Sequence, residues 1–168
     1  MISNFAPTYR IAPKIISPAR KTILFFTIGY EQTNTVDFME RLKSHEVELV
    51  VDVRQMPLSR KKGFSKNSLR VLLEQDEISY IHMRTLGAPR EVRDRLRENG
   101  SWVEYVKGYQ PVLRDRQEDL VSLIDMTKSK RICLLCFERR PEECHRSLVA
   151  AQMEKLGLGK VEVEHIRY

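Results

Sequence analysis

Apolar residues follow two rhythms along this chain. Short, nearly continuous apolar runs alternate with stretches in which apolar residues recur every three or four positions. The runs are TILFFTIG at 22–29, ELVVDVR at 48–54, SYIHM at 79–83 and RICLLCFE at 131–138. TILFFTIG, ELVVDVR and RICLLCFE read as buried strands, the first long enough to be buried on both faces, and SYIHM reads as a short strand. A fifth run, KVEVEHIR at 160–167, alternates apolar and charged residues as an edge strand does, and its direction in the sheet is left open. Between the runs the helical period takes over. Asn34 can cap a helix that carries Val36, Met39 and Leu42, and Ser65 one that carries Leu69, Leu72 and Leu73. PREVRDRL opens a charged helix that stops near Asn99-Gly100, and SWVEYVKGYQ opens another. Pro111 lacks an N–H and should break or restart that helix. Leu113, Leu120 and Ile124 line a further helical face, and a last helix around Leu148–Leu156 stops at Gly157.

Strands alternating with helices predict a mostly parallel sheet covered on both sides. The fold class is α/β: a three-layer α/β/α sandwich, Rossmann-like in the loose sense. No G-x-G-x-x-G fingerprint or P-loop lysine is present, so no dinucleotide or ordinary NTP cofactor is implied. Residues 1–21 hold Pro7, Pro13 and Pro18 without an apolar period and read as an extended or flexible extension. Residues 22–168 read as a single α/β domain.

Composition narrows this picture only slightly. The apolar share is 42%, and the longest apolar stretch, Ile23–Gly29, is far too short to span a bilayer. No secretory leader is evident, and three cysteines in 168 residues suit a reducing compartment. The expected location is therefore cytoplasmic, with no membrane partner. The net charge of +6 favours anionic partners, either a small molecule or nucleic acid. Oligomeric state is left open.

Ligands of open parallel sheets bind beyond the carboxyl ends of the strands. Three of those ends carry chemistry: Gly29-Tyr30-Glu31, Asp52-Val53-Arg54 and Cys136-Phe137-Glu138. Asp52 and Arg54, two apart on a strand, share a side. They form either an internal ion pair that orders the following loop, or an anion-holding Arg54 oriented by Asp52. Cys144, His145 and Arg146 stand where a strand hands over to a helix. Free N–H groups and the helix dipole attract anions there and favour a thiolate. Cys144 is the candidate nucleophile, with His145, Asp52 and Glu138 as acid–base or orienting groups. Arg54, Arg146, Ser59 and Tyr30 are the candidate ligand-binding residues. The plainer alternative packs Cys144 against the sheet and pairs Arg146 with Glu138.

Zinc is the rival chemistry for the same block. Cys136, Cys144 and His145 supply three potential ligands and Cys133 a fourth. Cys133 and Cys136 have C-x2-C spacing, but three apart on a strand they face opposite sides. The expectation is therefore no metal, and a Cys136–Cys144 disulfide switch has no independent support. The loop SRKKGFSK gathers Arg60, Lys61, Lys62 and Lys66 around Phe64, which could track phosphates and stack a base, or overhang the site as a lid. His82 could serve as a base or be a satisfied histidine. Trp102 and Tyr105 read as core.

The blocks TIGYE, LVVDVRQMPLSRKKGFSK, ISYIHMRTLGAP and LLCFERRPEECHRSLVA, in that order, resemble the family catalogued as domain of unknown function 488. Its strongest marks are DVR-x-x-P-x-S, at Asp52, Arg54, Pro57 and Ser59, and C-x-E-x5-CHR, at Cys136, Glu138, Cys144, His145 and Arg146. The resemblance runs from about Thr22 to Leu156. It implies an α/β fold and a shared site built from these two blocks, and it implies no substrate. Many members carry His-Ser where this chain has Tyr30-Glu31, so no role of that histidine transfers. The expected function is binding of a phosphorylated or nucleotide-like anion, with Cys-dependent catalysis as an extension. The alternatives are a non-catalytic nucleic-acid-binding module, a zinc-binding structural protein, or a protein whose charged blocks only stabilise its fold.

Overall fold

The computed structural model describes residues 22–157 and 160–168. The extension expected over residues 1–21 lies outside the described residues. Five strands form one sheet: β1 (Ile23–Gly29), β2 (Leu49–Asp52), β3 (Ser79–His82), β4 (Ile132–Cys136) and β5 (Val161–His165). Their order is β3-β2-β4-β1-β5, and every pairing is parallel. The alternating last run is an edge strand as expected, and its direction is parallel. β2, β4 and β1 are adjacent, so the three chemistry-bearing strand ends converge.

Six α-helices cover the sheet: α1 (Thr35–Ser44), α2 (Lys66–Glu74), α3 (Arg90–Asn99), α4 (Trp102–Arg114), α5 (Gln117–Thr127) and α6 (His145–Leu156). Strand alternation sorts the core into two. Phe26, Ile28, Val50, Cys133 and Leu135 pack with Phe38 and Leu42 of α1 and Leu69 and Leu73 of α2. Phe25, Leu49, Val51, Ile132 and Leu134 pack with Tyr105 and Tyr109 of α4, Leu120 of α5 and Val149 and Met153 of α6. This is the three-layer sandwich. Each fully buried aliphatic or aromatic side chain contributes about 1.5–3 kcal/mol, so central strands apolar on both faces anchor the fold.

Local signals explain the helix ends. Asn34 Oδ1 accepts the Asp37 N–H at 2.9 Å and caps α1. Gly100 takes a left-handed φ of 65° after α3. Pro111 does not break α4, which runs through it to Arg114. Pro111 and Lys107, the residue whose carbonyl loses its donor, are both exposed, so water can replace the missing bond. The break falls instead at Asp115-Arg116. Gly29 permits one close approach: a Cβ there would stand 1.8 Å from the Glu138 carbonyl oxygen. The loop after β4 can therefore cross the end of β1, where the N–H groups of Tyr30 and Glu31 both donate to the Phe137 carbonyl. Among the described residues, no helix is long and apolar enough to cross a membrane.

Candidate functional site

The carboxyl edge of the sheet carries two polar clusters, one on each face. Asp52 follows Val50 onto the α1–α2 side. Its carboxylate accepts Arg54 Nε–H at 2.8 Å, Arg54 Nη2–H at 2.5 Å and the Tyr80 hydroxyl at 2.6 Å. Arg54 Nη1 donates to the Tyr30 hydroxyl at 2.7 Å and the Phe64 carbonyl at 2.9 Å. Asp52 is fully buried and Arg54 nearly so. Burial works against the charge on Arg54, but its bonds to Asp52 and Tyr30 outweigh that and raise its pKa above the ordinary arginine value. Burial, with the bond to Asp52, likewise pushes the Tyr80 phenol up.

This cluster orders the next loop, as the ion-pair alternative expects. Phe64 is fully buried and stacks on Tyr30 with ring centroids 4.4 Å apart. It cannot stack a base, which corrects that expectation. Lys61 Nζ donates to the Tyr30 carbonyl, and Ser59 Oγ accepts the Lys61 N–H at 3.1 Å within the turn. Gly63 has φ 89°, and a Cβ there would press on Thr35. The basic loop is thus tied down and split. Arg60 and Lys61 face the main cavity, Lys62 lies along a separate depression beside Thr35 and Leu72, and exposed Lys66 opens α2. His82 Nε2 meets the Arg54 carbonyl at 2.9 Å, the satisfied alternative.

Cys136 follows Leu134 onto the opposite, α4–α6 side. Its Sγ–H donates to Glu138 Oε2 at 2.9 Å, and Cys144 Sγ–H reaches the same oxygen at 3.0 Å. Cys144 is the N-cap residue of α6, and His145 begins the helix. His145 Nδ1 lies 3.6 Å from Cys136 Sγ and 4.0 Å from Cys144 Sγ. Its Nε2 is 2.8 Å from the Val53 carbonyl, which can only accept, so Nε2 carries a proton. Tyr109 packs edge-on against the imidazole. The four donor atoms of Cys136, Glu138, Cys144 and His145 all lie within 4.8 Å of one another.

Burial dominates the chemistry of these groups. It pushes the Cys136 thiol up and the Cys144 thiol well above its ordinary value. Burial would also raise Glu138, but His145 and the two thiols outweigh it and hold the carboxyl low. Burial would lower His145, whereas contacts with Cys144, Glu138 and the Val53 carbonyl outweigh that and raise it. Burial at Cys144 thus works against a thiolate, the reverse of what its position at the start of α6 favours.

Arg146 is fully buried and does not reach the cavity. Its Nε donates to Thr27 Oγ1 at 3.3 Å, and its Nη groups donate to the carbonyls of Glu138 and Arg139. It pairs with the backbone of Glu138 rather than the carboxylate, and it clamps the β4–α6 loop to β1.

Between the clusters opens a cavity of about 570 Å³. Tyr30, Arg54, Ser59, Arg60 and Lys61 line one side, Cys136, Phe137, Glu138 and His145 the floor, and Arg93, Leu96, Arg97 and Tyr105 the far wall. That wall was missed in the sequence. Arg93, Leu96 and Arg97 have i, i+3, i+4 spacing, the one available signal that they share a helix face. Arg93 Nε is buried without a hydrogen-bond partner.

Comparison with known proteins adds one match. The family model described as Domain of unknown function DUF488 matches residues 34–153. No curated protein and no solved structure matches the chain.

Proposed function

We propose that this chain, which belongs to the family Domain of unknown function DUF488, binds a phosphorylated, nucleotide-like small molecule in the cavity at the carboxyl edge of its sheet. The observation that carries this reading is Arg93. A buried guanidinium nitrogen without an acceptor costs free energy unless something fills the cavity beside it. An anionic oxygen is the natural partner.

The surroundings support the same class of ligand. The cavity lies within the usual range for small-molecule sites, about 300–1,000 Å³. Arg60, Lys61, Arg93 and Arg97 supply positive charge, while Tyr105, Phe137, Met56 and Leu58 supply apolar and aromatic surface. Cationic and aromatic groups lining one cavity suit a nucleotide better than inorganic phosphate alone. Arg54 and Arg146 are already committed internally, so the anion-holding role moves to Arg93, Arg60 and Lys61. A nucleic-acid module draws less support, because the basic loop is divided and its aromatic ring is buried.

Calorimetric titration of metal-defined protein tests this reading, using nucleoside monophosphates and diphosphates, sugar phosphates, inorganic phosphate and short oligonucleotides. A mononucleotide or sugar phosphate should bind. Arg93→Gln should weaken it at least tenfold, equivalent to about 1.4 kcal/mol. Binding by oligonucleotides alone, or small-molecule binding that Arg93→Gln and Arg97→Gln leave intact, would overturn it.

A further inference from the structure

We infer that Cys136, Glu138, Cys144 and His145 form a zinc site in the floor of the cavity. The inference is independent of the anion reading, since it rests on donor geometry and needs no second ligand.

Four donors of three chemical kinds converge within 4.8 Å, and three of the four residues are buried. With zinc bonds of about 2.0–2.3 Å, donors at tetrahedral corners stand roughly 3.3–3.8 Å apart. Four of the six donor separations, at 2.9, 3.0, 3.6 and 4.0 Å, bracket that range, and the other two are no longer than 4.8 Å. Shifts of less than 1 Å would complete the tetrahedron. Two thiolates with an imidazole and a carboxylate suit zinc better than magnesium or calcium, which prefer oxygen alone.

The surroundings are arranged as a metal site requires. A ligating histidine usually donates its second ring N–H to a carbonyl or carboxylate, which fixes the tautomer. His145 Nε2 does this to the Val53 carbonyl and turns Nδ1 toward the sulfurs. The N-cap position of Cys144 places Cys144 and His145 at the mouth of α6. β4 ends at Cys136, and the bend at Phe137 returns the Glu138 carboxylate to within 2.9 Å of Cys136 Sγ.

The charge balance is favourable. Zinc binding releases one proton from each thiol, so two positive charges enter and two leave. The release of the two thiol protons therefore offsets the charge of the metal. The metal would tie the end of β4 to the start of α6 and fix the cavity floor, which Cys136, Glu138 and His145 line. With four protein donors, its role is structural.

Metal analysis of the full-length, tag-free protein in phosphate-free buffer tests the site, followed by zinc titration against a chromophoric chelator and by cobalt substitution. Wild type should hold one zinc per chain, and its cobalt form should show sulfur-to-cobalt charge transfer with tetrahedral d–d bands. Cys136→Ser and Cys144→Ser should each weaken zinc at least 100-fold, and Cys133→Ala should leave it unchanged. Should the serine variants fail to fold, Glu138→Gln replaces them, with at least tenfold weaker zinc and the charge-transfer bands retained. Absence of zinc together with absence of a cobalt–thiolate band would overturn the site, as would equal loss in Cys133→Ala. Nucleotide titrations do not enter these readouts, so the two proposals fail separately.

Discussion

The two polar clusters at the carboxyl edge contain similar ingredients and end up in opposite states. On the α1–α2 face, Asp52, Arg54, Tyr30 and Tyr80 satisfy one another: a carboxylate takes four donors and a guanidinium reaches four acceptor atoms. On the α4–α6 face, Cys136, Glu138, Cys144 and His145 bring together soft donors whose strongest shared partner would be a cation. The first is a finished internal structure. The second keeps binding capacity beyond its own hydrogen bonds. Buried charge alone therefore does not mark a working site; unused valence does.

The largest expected effect lies on the closed face. Arg54→Ala leaves the Asp52 carboxylate buried without its cation and should cost about 3–5 kcal/mol in urea unfolding. Arg54→Lys should recover only part of this, since lysine cannot bridge the carboxylate bidentately. Near-wild-type stability of Arg54→Ala would break the contrast. Next comes metal removal from the other face. Excess chelator should lower apparent stability by about 2.7 kcal/mol if free zinc had stood at a hundred times its dissociation constant. The Cys133→Ala protein should respond to chelator equally, because Cys133 lies on the other side of the sheet. Tyr80→Phe, which deletes one donor to Asp52, should cost about 1.5 kcal/mol in the same unfolding assay and leave metal content unchanged. The smallest stability effect belongs to Arg93→Gln. Unfolding should move by less than about 0.5 kcal/mol, because its Nε has no partner to lose, while ligand affinity falls.

The fold was legible wherever burial alone decides structure. TILFFTIG, ELVVDVR and RICLLCFE are the inner strands β1, β2 and β4, while the short run SYIHM and the alternating run form the two edge strands β3 and β5. Pro111 misled because a proline on the solvated face of a helix loses a bond that water can replace. The candidate site was legible in part. Strand alternation correctly sent Cys133 away from Cys136, and a metal was discounted for want of a fourth ligand. Glu138 went unweighed as a donor, because the bend at Phe137 that brings its carboxylate to both thiols is set by the loop after β4 and not by strand alternation. Arg54 and Arg146 were legible as candidate anion-binding residues, but how far each is consumed by carbonyls and carboxylates depends on packing. The wall of Arg93 and Arg97 depended on where α3 docks, which its own pattern does not state. Phe64 stands among basic residues in the sequence, yet it is core because its ring stacks on Tyr30.

X-ray absorption at the zinc edge of the purified protein tests the contrast most directly. The account predicts two sulfur scatterers at about 2.3 Å and two nitrogen or oxygen scatterers at about 2.0–2.2 Å, in wild type and in Cys133→Ala alike. A shell without sulfur, or one with three sulfurs that loses one in Cys133→Ala, would contradict it.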